Sequence, residues 1–257
     1  MKREAVAPSN HADREIVLRE GGSRERLAFD PENGAETFLL TIDVGRKNDR
    51  DALFEYHTCH EENFLLRGTA DFAGWYGWES LGYLMHPPYW WHPAGYRFPS
   101  GAEILIKLDA PVDFTFREIP SDWDRREWIA PESPHWCKNR AVSNANLESE
   151  PWELVLDTNG QPAGFAAKHL WDDVETGWTT WLMRTPAGWR GSGEIFAGGD
   201  ELYLLSGDLN LDGSRLLEGG YYYEPDRLRD DGASEAGFTA IRWTRGDPWR
   251  LPPIRIC

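Results

Sequence analysis

Three cysteines in 257 residues, Cys59, Cys137 and Cys257, stand apart without CxxC spacing, too few and too scattered to staple a secreted fold or build a Cys-rich zinc site. They read as reduced thiols. No uncharged apolar run reaches the roughly 18 residues of a membrane helix, and the opening MKREAVAPSNHADRE lacks the apolar stretch of a signal peptide, which predicts a cytosolic chain. Positive charge is also short. Lys and Arg number 27 against 43 Asp and Glu, a net charge of −16, so the surface repels phosphate backbones and anionic lipid, and neither nucleic acid nor membrane is an expected partner. Helical periodicity over three turns is missing; the nearest helix candidate is the short DWDRREW stretch at Asp122 to Trp128. No GxSxG, P-loop, HExxH or GxGxxG context appears, which removes support for serine hydrolase, P-loop, zincin and Rossmann readings.

What the chain does have is turn chemistry and aromatics: 25 Gly, 17 Pro, 14 Trp, 11 Phe and 9 Tyr, the mix of short strands joined by tight turns. Apolar and polar residues alternate in EILIKL (Glu103 to Leu108), WELVL (Trp152 to Leu156) and ELYLLSGDLNL (Glu201 to Leu211). The chain also repeats itself. DPENGAETFLL from Asp30 matches DVETGWTTWLM from Asp173, HEENFLLRG from His60 matches GDELYLLSG from Gly199, and YWWHP from Tyr89 matches YYYEP from Tyr221, in one order. The expectation is an all-β chain of two copies of one barrel or sandwich: residues 1–12 a tail, 13–118 the first unit, 119–150 a bridge rich in Pro, Trp and charge, and 151–257 the second unit.

Within the first copy, Glu55-Tyr56-His57, then Glu61, then Gly68, and later Pro93-Ala94-Gly95 followed by Phe98, resemble the two signatures of the cupin superfamily. Glu55 stands where the leading histidine of the first signature belongs, and Phe98 where the histidine of the second belongs. The resemblance covers both copies and implies two tandem cupin (jelly-roll) barrels, similar to the cupin domains of anti-sigma factors and small-molecule dioxygenases.

The residues agree with that chemistry. Side chains at i and i+2 of a strand share a face, so Glu55 and His57 can point into a barrel while a turn returns Glu61 beside them. Such a mixed imidazole and carboxylate set suits a divalent Fe, Mn, Ni or Zn ion with open positions. His57 and Glu61 lead the candidate ligands, followed by Glu55, His60 and His92, with His92 standing in for the histidine missing at Phe98 and His86 more remote. The bland counterpart is a hydrogen-bonded polar cluster. Trp78, Tyr89 and Trp91 are candidates for an aromatic substrate wall, against the alternative of plain packing. Arg97 is a candidate anion clamp; a salt bridge is the other reading and accounts for Arg229 at the equivalent place. In the second copy the corresponding residues are Glu194, Phe196, Asp200 and Asp230, with Glu224 nearby; none of these is a histidine, so no transition metal is expected there.

Three functions stay open: a metal-dependent enzyme in the first barrel acting on a small organic acid, diketone or phenolic, as the resemblance implies; a metal-free ligand-binding or sensor module; and a metal-free isomerase or epimerase with His57 as general base. A small molecule is the expected partner. A homodimer is expected on the strength of open strand edges.

Overall fold

In the computed structural model the described residues are 6–9, 16–74, 76–118, 142–144, 146–157, 159–173, 176–246 and 249. Antiparallel strands make up most of them. Their helical content is one 3-10 turn at Leu147–Ser149. No helix among them is long and apolar enough to cross a membrane. The helix candidate at residues 122–128, most of the bridge, and Cys137 and Cys257 lie outside the described residues.

The repeat seen in the sequence is a repeat of topology. One seven-stranded sheet runs Val142–Asn144, Gly82–His86, Glu61–Gly68, Ala102–Leu108, Glu36–Ile42, Gly22–Phe29 and Ile16–Arg19. The other runs Val6–Ser9, Tyr221–Glu224, Gly199–Gly207, Phe238–Arg245, Trp178–Arg184, Pro162–Asp172 and Glu153–Leu156. Each strand has its counterpart in order. The matched turns agree bond for bond: the Asp30 amide donates to the Ala35 carbonyl and Gly34 to Asp30, just as Asp173 donates to Trp178 and Gly177 to Asp173. Gly34 and Gly177 both take the positive φ, 73° and 74°, that such a turn needs and glycine supplies at least cost.

The chain divides into two compact units, residues 15–149 and residues 1–14 with 150–257. This moves both boundaries expected from the sequence. The N-terminal residues are not a plain tail, because Val6–Ser9 pairs with Tyr221–Glu224 as the edge strand of the C-terminal unit. The end of the bridge likewise joins the first unit, through Val142–Asn144 beside Gly82–His86. In both sheets a short segment satisfies the backbone groups of an otherwise bare edge.

The topology also corrects one sequence match. Tyr221–Glu224 pairs with Gly199–Gly207 as Gly82–His86, not the Tyr89 segment, pairs with Glu61–Gly68. Chemistry confirms the register: the Tyr83 hydroxyl donates to Glu62 (2.9 Å) and the Tyr221 hydroxyl to Glu201 (2.7 Å). Glu224 is therefore the counterpart of His86.

Apolar side chains fill both interiors. Phe38, Leu65, Trp78, Leu84, Phe98 and Ile106 lie in the first, and Phe165, Trp181, Trp189, Leu204, Tyr222 and Phe238 in the second. Alternation is clear in Ala102–Leu108, where Ile104, Ile106 and Leu108 are buried and Glu103 and Lys107 are partly exposed.

Candidate metal centre

Four side chains of the first unit converge. One ligand atom from each of His57, Glu61, His86 and His92 lies within 4.8 Å of the others. His57 follows the Leu53–Tyr56 strand, Glu61 and His86 are direct partners across one ladder, and His92 begins a two-residue strand paired with Glu55. The His86 and His92 rings lie nearly parallel, centroids 3.9 Å apart. All three histidines are buried.

Each imidazole keeps one buried nitrogen without a hydrogen-bond partner: His57 Nε2, His86 Nδ1 and His92 Nε2. The His57 tautomer follows from its other nitrogen, since Nδ1–H donates to the Cys59 carbonyl at 2.8 Å. That turns Nε2 to the cluster, 3.1 Å from Glu61 Oε2. His86 Nδ1 lies 3.7 Å from the same oxygen. Leaving a buried polar atom unmade costs about 1–3 kcal/mol, so three of them facing one carboxylate fit a site for a cation. The donor set, three imidazole nitrogens and one carboxylate oxygen, suits a divalent transition ion.

The electrostatics point the same way. Burial, reinforced by the neighbouring imidazoles, holds His92 well below the usual histidine range, and burial likewise lowers His86. Both rings are therefore neutral and carry lone pairs. Burial works against the His57 imidazolium too, but contact with Cys59 and the Glu61 carboxylate outweigh it and hold that ring well above its ordinary value. Burial raises Glu61, and the His57 and His86 contacts more than reverse this, so it stays ionised.

Of the sequence candidates, His57, Glu61 and His92 meet in this cluster. His86, read as remote, completes it, because the ladder sets it directly opposite Glu61 although 25 residues separate them in the chain, 86 minus 61. Two candidate ligands fall outside. Glu55 sits beside the cluster, Oε1 3.7 Å from His92 Nδ1, and burial first and then Glu61 raise its pKa to about 7. His60, on the wrong strand parity, is taken up by Asp109, which bonds both its Nδ1 (2.7 Å) and its amide (2.8 Å).

The candidate substrate wall is mostly packing. Trp78 is buried in the barrel core against Phe72. Tyr89 and Trp91 pack on Tyr56, centroids 5.6 and 4.8 Å away. Arg97 pairs with Asp51 and Asp71. Arg229, equivalent to Arg97 only at the offset that the topology corrects, sits opposite Ile195 and pairs with Asp212 and Asp231, so both arginines are salt-bridged without being counterparts. Sequence reasoning missed Phe114, whose ring stands edge-on to His57 with centroids 6.0 Å apart. Its signal was available only through strand pairing.

The second barrel answers its carboxylate differently. Asp200, at the place of Glu61, receives the Arg242 guanidinium through Nε (2.8 Å) and Nη2 (2.7 Å), the Arg229 amide (3.1 Å) and the Tyr222 hydroxyl. Phe196, at the place of His57, packs against the core.

These two barrels define the class: the chain has the double-cupin fold, with a candidate metal centre in its first barrel. No protein-family model and no curated protein matches the sequence. Solved structures do. A provisionally assigned dioxygenase from Nostoc punctiforme aligns with TM-score 0.72 at 15% identity, over 97% of this chain and 87% of that one. A variant of Bacillus subtilis oxalate decarboxylase aligns with TM-score 0.57 at 13% identity, over 95% of this chain and 78% of that one. The Escherichia coli pirin YhhW, solved with nickel(II), aligns with TM-score 0.55 at 10% identity, over 97% of this chain and all (100%) of that one.

Proposed function

We propose that the first barrel is a metal-dependent enzyme site for a small organic molecule, with His57, Glu61, His86 and His92 as ligands. The observation that carries this reading is the convergence of three buried, unbonded imidazole nitrogens on one carboxylate. Likeness to a dioxygenase and an oxalate decarboxylase favours oxygen-dependent or related chemistry on an organic acid, diketone or phenolic. A divalent ion there supplies Lewis acidity or an oxygen-binding position. The chain's own residues do the rest. The Cys59 carbonyl fixes the His57 tautomer, Phe114 stands edge-on to that ring, and Glu55, whose pKa burial and Glu61 raise to about 7 in the metal-free chain, stands beside the site.

The test is metal analysis by inductively coupled plasma mass spectrometry on protein purified without chelators. Wild type is expected to carry close to stoichiometric Fe, Mn, Ni or Zn, and His57→Ala and His86→Ala to lose nearly all of it while remaining folded by circular dichroism. Wild type that stays empty after reconstitution with each of the four metals overturns the reading. Oxygen consumption by loaded protein over a panel of organic acids, diketones and phenols then tests the reaction type.

A further inference from the structure

The strand register identifies residues at the rim of the site. Leu53–Tyr56 is flanked by His92–Pro93 on one side and Thr115–Glu118 on the other, with Glu55 opposite both His92 and Phe116. Directly opposed residues share a face, so His92, Glu55 and Phe116 form one row across three strands. Two residues back along its chain, Phe114 returns to that face and meets His57 edge-on. Arg117, opposite Phe54, belongs to the other face and lies over the Trp91 ring.

This row runs from closed to open. His57 has no exposed surface and His92 is 5% exposed, yet Phe116 and Phe114 are 37% and 42% exposed. Exposed rings on the same face as a fully buried histidine lie on the side of the site nearest solvent. A cation stands there. Arg50 is exposed, its guanidinium carbon lies 4.4 Å from the Phe116 ring centroid, and among the described residues it makes no ion pair. Arg97, by contrast, is held by two aspartates. A guanidinium resting on a ring keeps its edge donors for a planar oxyanion.

We propose that Arg50, Phe114 and Phe116 are the substrate-recognition lip of the first barrel, selecting a small carboxylate that carries a ring or comparable flat apolar body. Arg50 takes the carboxylate and the two phenylalanines take the ring. The inference rests on the reading of this barrel as a small-molecule site, and it narrows the substrate class to aromatic or cyclic acids.

The test uses three probes of matched chemistry: salicylate, salicylamide, which keeps the ring and phenol and removes the charge, and glycolate, which keeps the acid and removes the ring. Binding is measured by isothermal titration calorimetry to full-length wild type, Arg50→Gln and Phe114→Ala, each as purified and after cobalt loading, with cobalt content determined separately. Salicylate is expected to bind wild type best. Arg50→Gln is expected to weaken salicylate at least about tenfold and leave salicylamide within about twofold, the loss of one charge-assisted contact. Phe114→Ala is expected to weaken both aromatic probes about fivefold and spare glycolate. Arg50→Gln that binds salicylate as wild type does, glycolate that binds as well as salicylate, or wild type that binds none of the probes overturns the proposal. Protein that takes up no cobalt but still binds salicylate through Arg50 overturns the metal reading and leaves the lip standing.

Discussion

At the scale of single residues, the two barrels show two ways of meeting a buried carboxylate. Glu61 and Asp200 occupy equivalent ladder positions, opposite His86 and Glu224. In the first barrel imidazoles answer the charge. In the second a guanidinium does, from Arg242, which stands on its strand where the first barrel has the core residue Ile106. Trp249 and Trp181 flank that guanidinium at 4.9 and 5.6 Å, excluding water from it. Asp200 has no exposed surface, so removing its partner strands a charge. Arg242→Met is expected to destabilise the protein by about 3–5 kcal/mol, and the double variant Asp200→Leu, Arg242→Met to recover only part of that loss, because it removes the stranded charge but leaves the Tyr222 hydroxyl and Arg229 amide without their acceptor. Urea unfolding of the two variants beside wild type checks this.

At the scale of elements, pairing places the functional groups and glycine permits the pairing. Gly68 ends its strand at φ 90° with Gly101 against it, and Gly207 does the same at φ 86° with Gly237. A Cβ at Gly68 would come within 2.0 Å of the Gly101 carbonyl oxygen, and one at Gly207 within 1.9 Å of the Gly237 oxygen. Gly45 is the control: its φ is 75°, but a Cβ there meets nothing within 4 Å. Gly45→Ala is expected to cost only the backbone strain, about 1–2 kcal/mol. Gly68→Ala adds a backbone clash, and its urea midpoint is expected to fall well below that of Gly45→Ala. Equal midpoints would mean that the crossing of these strands is not as tight as described.

At the scale of the whole molecule, the cluster makes the stability of the metal-free protein depend on pH in a defined sense. His86 and His92 have folded-state pKa values held below the ordinary histidine value. Below about pH 6.5 the unfolded chain takes up protons that these buried rings refuse, so stability falls with acid. Glu61, held below its ordinary value, adds to the loss as pH drops below about 4.5. His57, held above, contributes stability that is fully present below about pH 6.5 and is lost as pH rises through its folded value. The contribution of the site is therefore expected to peak close to pH 6.5. Unfolding midpoints of metal-free protein between pH 5 and 8 check this, and His92→Leu is expected to flatten the acid limb. Metal reverses the alkaline trend, since His57 must release its proton to act as a ligand, and uptake in weak buffer is expected to release acid.

Much of this protein follows from its sequence alone. Duplication, turn glycines and alternating strands determine two β-barrels, because short-range spacing sets strand period and turn type wherever the strands pair. The same short range brings out His57 and Glu61, four residues apart, and shows that the second copy keeps no histidine at their places. The rest needed pairing between distant segments. His86 joins the site only because its strand lies in one particular register on Glu61–Gly68, and a slip of one residue would turn it to the other face. Phe114 borders His57 only because Thr115–Glu118 pairs with Leu53–Tyr56, and Arg242 reaches Asp200 only from a neighbouring strand. Local spacing carries no record of such ladders. They follow from burying the apolar face of each sheet and leaving no backbone group unpaired, conditions that apply to the whole tertiary structure and to no segment by itself.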